Sequence, residues 1–308
     1  MNKNFNRAIC GTVCLMGTLA LSCNSLKPAS YKKSYPTFFK VGHRGTRGLM
    51  PENTIPAMEK GIEVGANMVE MDVHITKDGQ VIVYHDESFD PTYTLMPNGS
   101  DIPVKERTRY TFYQMNYADI KPFIIGTKAY PAYPQQQSLK TYTPLLGELI
   151  DSVDAYTQAK GLPGVYYLVE IKSAEKTDGF DQPAPAEYMK KVMNVLKPKK
   201  LGKRLIIQSF DMRPLQVLHS EYPEIALGYL TSDKTLSVAG DISKLGFAPM
   251  FYNPYGKLIT AEMVKQCHEK GMLIAPWTIN TVAEMRHFKS IGVDGIITDY
   301  PNLFKELQ

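Results

Sequence analysis

The chain has 308 residues, of which 44% are hydrophobic and 21% charged, and its formal net charge is +4. This supplies material for one large core without repeats or low-complexity tracts. The charge shrinks further once Lys3 and Arg7 of the N-terminal leader are set aside, which argues against a nucleic-acid-binding surface.

Lys3 and Arg7 precede an apolar run from Ala8 to Leu21, and Ser22-Cys23 follows. This is the pattern of an export signal, too short to span a bilayer comfortably. Ala20-Leu21-Ser22-Cys23 resembles a bacterial lipobox, in which the cysteine is lipidated and becomes the new N-terminus. The expected organisation is a lipoprotein-type signal peptide over 1–22, a tether over 23–36 and a folded domain over 37–308. The protein is then exported and anchored in a bacterial membrane through Cys23, facing the periplasm or the cell surface. Cys10 and Cys14 leave with the leader, so the mature domain keeps only Cys267 and can form no internal disulfide. Cys267 lies in the helical pattern Ala261 to Lys270 and reads as a buried structural thiol.

Apolar, strand-like runs recur along the domain at Phe38-Val41, Met68-Val73, Tyr166-Ile171, Leu205-Ser209, Ala226-Leu230, Gly246-Tyr252, Leu273-Ile279 and Gly295-Thr298. Helical patterns fall between most of them, including Thr54-Val64, Leu145-Ala159, Ala186-Leu196, Arg213-Ser220, Ala261-Lys270 and Val282-Ile291. Eight strands alternating with helices predict an α/β fold, a (β/α)8 TIM barrel.

The run Val81 to His85 follows the second strand too closely to be a barrel strand. Asp78-Gly79 signals a hairpin. With those two residues as the loop, Lys77 pairs with Gln80, and His85 returns opposite Asp72, to within one residue. Beyond it, regularity is lost over 88–143, a stretch rich in Pro, Tyr, Asn and Gln. A loop this long predicts an insertion capping the catalytic mouth after the second barrel strand.

The chemistry gathers at the ends of these strands. Glu70 and Asp72 are two apart and leave the same face, and Glu170 ends another strand. Three converging carboxylates, with no cysteine or further inward histidine, form a site for a hard divalent cation, Ca²⁺ or Mg²⁺. Arg44 and Lys172 add fixed positive charge beside it, which suits a phosphate ester. His43 and His85 can exchange protons near neutral pH and form a candidate acid/base pair. His74 extends the Glu70 and Asp72 face beyond the rim and reads as solvated; His219, His268 and His287 fall in helical patterns and read as peripheral.

Gly42-His43-Arg44-Gly45, Pro51-Glu52-Asn53-Thr54, Glu70-Met71-Asp72-Val73, Thr76-Lys77-Asp78-Gly79, His85-Asp86, Glu170-Ile171-Lys172, Gln208-Ser209-Phe210, Trp277-Thr278-Ile279-Asn280 and Gly292 to Pro301 occur in that order. Together they closely resemble the glycerophosphodiester phosphodiesterase family. The resemblance implies metal-dependent hydrolysis of glycerophosphodiesters to glycerol 3-phosphate and an alcohol. It implies that His43 and His85 are catalytic, that Arg44 and Lys172 hold phosphate, and that Glu70, Asp72 and Glu170 bind the metal. It further implies that Glu52 supports the metal and His43, and that Trp277 walls the glycerol pocket. The family's usual Arg-Thr-Thr after His-Asp is replaced by Phe89-Asp90-Pro91-Thr92-Tyr93. The partner expected is a small-molecule substrate, with no protein partner indicated. Two rival readings are a phospholipase-type phosphodiesterase acting on intact lipids and a non-catalytic lipoprotein that binds phosphate ligands.

Overall fold

A computed structural model describes residue 1, residues 35–235 and residues 237–307. The expected leader beyond Met1, the lipidation candidate Cys23 and the tether up to residue 34 lie outside the described residues. Among those described, no helix is long and apolar enough to cross a membrane.

Eight parallel strands form a nearly closed barrel. They are β1 (Phe39–Gly42), β2 (Met68–Ile75), β6 (Tyr166–Ile171), β7 (Leu205–Ser209), β8 (Ala226–Thr231), β9 (Phe251–Pro254), β10 (Leu273–Ile274) and β11 (Gly295–Thr298). The intervening short strands are β3 (Val81–Val83), β4 (Thr94–Leu95) and β5 (Ile124–Ile125). Neighbours run in the order β10, β9, β8, β7, β6, β2, β1, β11. The last gap is bridged by Asp294 N to Ile274 O at 2.9 Å and Ile297 N to Pro276 O at 2.9 Å. The TIM-barrel expectation therefore holds.

Period-two alternation builds the site. In β1 the inward column reads Phe39, Val41, then His43 beyond the strand; in β2 it reads Met68, Glu70, Asp72; in β6 it reads Leu168, Glu170, then Lys172. The lower positions join Ile206, Phe251, Leu273 and Ile297 in a barrel core. The upper ones are polar. The outward residues Val69, Met71, Val73, Tyr167, Val169 and Ile171 pack under the surrounding helices in a separate, larger core. Five of those helices begin with a side-chain cap, at Thr54, Asp211, Ser237, Thr260 and Thr281.

Several expectations shift locally. A helix, Val238–Leu245, precedes β9, and Gly246 at φ +88° ends it in the left-handed region rather than opening a strand. The run read from Leu273 pairs only as far as Ile274, because Pro276 has no N–H for a ladder. The hairpin register is Val73 to Val83 and Ile75 to Val81, which puts Tyr84 opposite Asp72 and His85 one residue beyond, inside the expected one-residue margin. Thr76 pairs with Gln80 around a three-residue loop whose Gly79 has φ +80°.

The 88–143 segment is a small layer of its own. It carries the β4–β5 ladder, short 3₁₀ turns and one helix, Tyr117–Ile120. Phe89, Tyr93, Phe112, Phe123 and Ile125 form a core with Ile82 and Tyr84 of the hairpin. It stands beside the mouth.

Candidate active site

The backbone bend after β1 is sterically determined. A Cβ on Gly42 would lie 2.0 Å from the Gly45 carbonyl oxygen, and one on Gly45 would lie 2.5 Å from the Ala57 backbone. Between them Arg44 takes φ +50°, and Asn53 takes φ +57°. Non-glycine residues in that region cost roughly 1 kcal/mol or more each, and here the bend is held by Arg44 N donating to Glu70 Oε2 at 2.8 Å and Asn53 N to Arg44 O at 3.1 Å. Arg44 Nη1 then reaches Glu52 Oε1 at 2.6 Å, and its Nε lies 3.4 Å from Asp72 Oδ2.

Asp72 and Glu170 are register partners, with Glu70 two residues lower on the same face. Ligand oxygens of Glu70, Asp72 and Glu170 lie within 4.8 Å of one another, all three side chains buried. Burial, reinforced by Asp72 and Glu170, pushes the Glu70 carboxyl well above the ordinary range. Burial also opposes ionisation of Asp72, but His85, Lys172 and Arg44 overcome it and hold that carboxyl well down. Asn53 Nδ2 adds a hydrogen bond to Asp72 Oδ2 at 2.8 Å. Lys172 Nζ contacts Glu170 Oε1 at 2.7 Å and Asp72 Oδ1 at 3.5 Å. Glu70 Oε1 is buried without a hydrogen-bond partner. Three clustered hard oxygen donors, one of them orphaned, fit a divalent cation.

His43 and His85 both line a cavity of about 340 Å³ that also takes in Arg44, Glu70, Glu170 and Lys172. Each histidine is anchored through Nδ1. His43 meets Asp299 Oδ1 at 2.6 Å, and His85 meets Asp86 Oδ1 at 2.5 Å. Asp299 also accepts from Asn280 Nδ2 at 2.7 Å and from the Tyr133 hydroxyl at 3.3 Å. Despite burial, the His43 charge and the bonds from His43 and Asn280 lower the Asp299 pKa to about 2. Lys172 Nζ lies 3.1 Å from His85 Nε2. Trp277 walls the cavity beside Phe210, ring centroids 5.3 Å apart, with Nε1 fixed to the Asn253 carbonyl at 2.8 Å.

The expectation that Cys267 is a buried thiol holds, and others shift. Glu52 is the counter-charge of Arg44 and Arg47, which hold its pKa down against burial, and through Arg44 it is linked to Asp72. His74 is not solvated but 4% exposed, its Nε2 3.0 Å from the His85 carbonyl oxygen, and burial lowers its pKa to about 4. The insertion lies over the cavity-lining Arg47 through Tyr130 and Tyr133, while the lining residues themselves fall outside 88–143. Cys267 is buried, and burial pushes its thiol up to about 12. Asp299, Asp86, Asn53, Arg47 and Phe210 were not singled out from the sequence. Asp86 and Asp299 do sit in the His-Asp and Thr-Asp-Tyr-Pro strings already noted, and an aspartate one residue after a rim histidine or just past the last strand is the available signal.

A TIM barrel with acids, bases and fixed cations at the C-terminal strand ends defines a hydrolase-type site for an anionic ester. Residues 43–303 match the model of the glycerophosphoryl diester phosphodiesterase family, and the chain belongs to that family. A glycerophosphodiester phosphodiesterase of Bacillus subtilis (strain 168) is 29% identical over 315 residues, covering 98% of each chain. A crystal structure of a glycerophosphoryl diester phosphodiesterase-type protein from Silicibacter pomeroyi DSS-3 superposes with TM-score 0.78 at 29% identity, over 89% of this chain and 94% of that one. An Oleispira antarctica phosphodiesterase in complex with the product sn-glycerol-3-phosphate shares the fold, with TM-score 0.68 at 23% identity over 91% and 98% of the two chains. The protein is an enzyme, a glycerophosphodiester phosphodiesterase.

Proposed function

We propose that the enzyme releases glycerol 3-phosphate and an alcohol by divalent-metal-dependent hydrolysis with His43 and His85 as the acid/base pair. The observation that carries this reading is the shared cavity. Two histidines, each tied to a carboxylate through Nδ1, face one space beside the acidic triad.

Arg44 and Lys172 bind and orient the phosphoryl oxygens, Arg44 as a planar guanidinium and Lys172 as a point charge. One histidine takes the proton of the attacking hydroxyl and the other gives a proton to the departing alkoxide; water as the attacker gives glycerol 3-phosphate directly, whereas the neighbouring glycerol hydroxyl gives a cyclic phosphate first, which water then opens. Asp299 and Asp86 hold the rings and stabilise each imidazolium as it forms. Trp277 and Phe210 supply an apolar wall for the glycerol carbons. Glu70, Asp72 and Glu170 would hold Ca²⁺ or Mg²⁺, and such an ion contributes Lewis-acid neutralisation of phosphoryl charge. A cavity of about 340 Å³ matches a small diester. The test is release of glycerol 3-phosphate from deacylated diesters and from their acylated counterparts. Turnover confined to acylated lipids would favour the phospholipase reading, and binding without turnover of either would favour a non-catalytic one.

The leader pattern supports an exported lipoprotein, with 23–36 tethering the 37–308 domain to a bacterial membrane through Cys23. Cys23→Ser should move the protein from the membrane fraction to the soluble exported fraction. Unchanged membrane association would count against lipidation.

A further inference from the structure

A second cavity, about 450 Å³, adjoins the first, and His85, Glu170, Lys172 and Phe210 line both. A phosphodiester carries two substituents on one phosphorus. With the phosphoryl group at the shared wall, one substituent enters each cavity. The glycerol common to every substrate suits the smaller one, whose walls include the strand residues Gln208, Leu230 and Ile297. The alcohol that varies then occupies the larger, bordered by residues 173–182 of the loop after β6.

That loop is a built wall. Ser173 Oγ donates to Asp211 Oδ2 at 2.7 Å, Gln182 Nε2 to the Ala174 carbonyl at 2.7 Å, and Arg213 Nη1 to Asp178 Oδ2 at 2.5 Å. Its hydroxyl and amide donors are consumed internally. What remains for a ligand is mainly acceptors. Glu87 and Asp181 both line the cavity, and among the described residues neither carboxylate takes part in a hydrogen bond or a close ion pair, although Arg107 lies near enough to Glu87 to feel its charge. Burial and the neighbouring Glu87 push the Asp181 carboxyl up, so the two carboxylates sense each other.

His74 is an independent pointer. It lines the same cavity at 4% exposure, and its Nδ1 is buried with no partner. Nε2–H given to the His85 carbonyl leaves Nδ1 as an acceptor on a neutral ring. Phe210, 40% exposed, offers a ring face on which a cation can rest. Against these stand Lys176, exposed at the edge, and Lys172, already engaged by Glu170. Arg107 beside the rim is paired with Asp86 and partly offsets the Glu87 charge.

We propose that this second cavity is the leaving-alcohol subsite and that Glu87 and Asp181, with the free acceptor of His74, select alcohols bearing an ammonium group. The proposal rests on the glycerophosphodiesterase reading above. The experiment measures kcat/KM for glycerophosphoethanolamine and glycerophosphocholine against the uncharged-alcohol diesters glycerophosphoglycerol and glycerophosphoinositol. The variants are Glu87→Gln, Asp181→Asn, their double, and Lys176→Gln. The wild type should favour the ammonium diesters. Each acidic substitution should cut that ratio roughly 1.5- to fivefold, the scale of a solvent-accessible charge pair, while Lys176→Gln should raise it. A ratio unmoved in the double variant, with glycerol 3-phosphate still released, would overturn the subsite assignment alone. Failure of every diester to yield glycerol 3-phosphate would overturn the functional reading and the subsite with it.

Discussion

The strand ends that carry the acidic triad and the 88–143 layer that leans on them are stabilised in different ways. Glu70, Asp72 and Glu170 project from strands paired on both sides, so their positions follow from ladder register, and their mutual repulsion is borne by the barrel. The insertion has its own aromatic core, including Phe89 stacked on Phe123 at 4.1 Å, and few backbone ties to the barrel side, such as Gln137 N to Leu49 O at 2.8 Å. It reaches the site through residues around the cavity, by Tyr133 to Asp299, Tyr130 to Arg47, Tyr93 to Glu52 and Arg107 to Asp86. The comparison separates chemistry, built on strands, from bracing, supplied by an added layer.

The largest expected effect breaks the strand-borne part. Removing divalent metal with excess chelator should lower turnover on the order of 10³-fold or more, and Ca²⁺ or Mg²⁺ should restore it. Glu70→Ala, Asp72→Ala or Glu170→Ala should weaken metal binding while calorimetry finds a folded barrel, since the carboxylates repel one another without an ion. Full activity in excess chelator would refute the metal requirement.

Next come the histidines. His43→Ala and His85→Ala should each reduce kcat roughly 10²- to 10⁴-fold. A diester with a p-nitrophenol leaving group should partly rescue only the variant lacking the general acid, because that alkoxide needs little protonation. Unchanged turnover in both variants would show that proton transfer lies elsewhere.

A smaller effect follows from Glu70. In the metal-free fold, burial beside Asp72 and Glu170 raises its pKa, so the acid form persists above the usual glutamate range. A metal must displace that proton. Affinity should therefore rise with pH, about tenfold per unit for one proton displaced, until the raised pKa is passed, and then level off. Calorimetric titrations in buffers of different ionisation enthalpy would count the proton; none released near neutral pH would count against this account.

These predictions draw on residues of unequal visibility. The acids, His43, Arg44, Lys172 and His85 were legible because strand alternation and strand ends locate them without knowledge of packing. His74 was misread because β2 runs to Ile75, and only the hairpin and Phe112 packed near it, ring centroids 6.0 Å apart, bury its ring. The hairpin sits at the one-residue edge of its expected register because a left-handed Gly79 also admits a three-residue loop. Asp299 lies 256 positions from the histidine it anchors, and no local pattern reports such a pairing. For the insertion, length and tyrosine content suggested a lid, whereas its aromatics are spent largely on its own core.

That last difference yields the mildest test. Tyr133→Phe removes one 3.3 Å hydrogen bond to Asp299 while keeping a ring 4.6 Å from the Arg47 guanidinium. Asp299 retains its bond from Asn280, so the His43 anchor is loosened without being lost. A hydrogen bond of ~1 kcal/mol corresponds to about fivefold in kcat/KM as an upper figure. The ranking among headgroups should not change, because no residue of 88–143 lines either cavity. Glu87→Gln should show the converse, a changed ranking. If Tyr133→Phe reorders the headgroups with kcat untouched, the insertion is a specificity element after all, and the separation of bracing from selection is wrong.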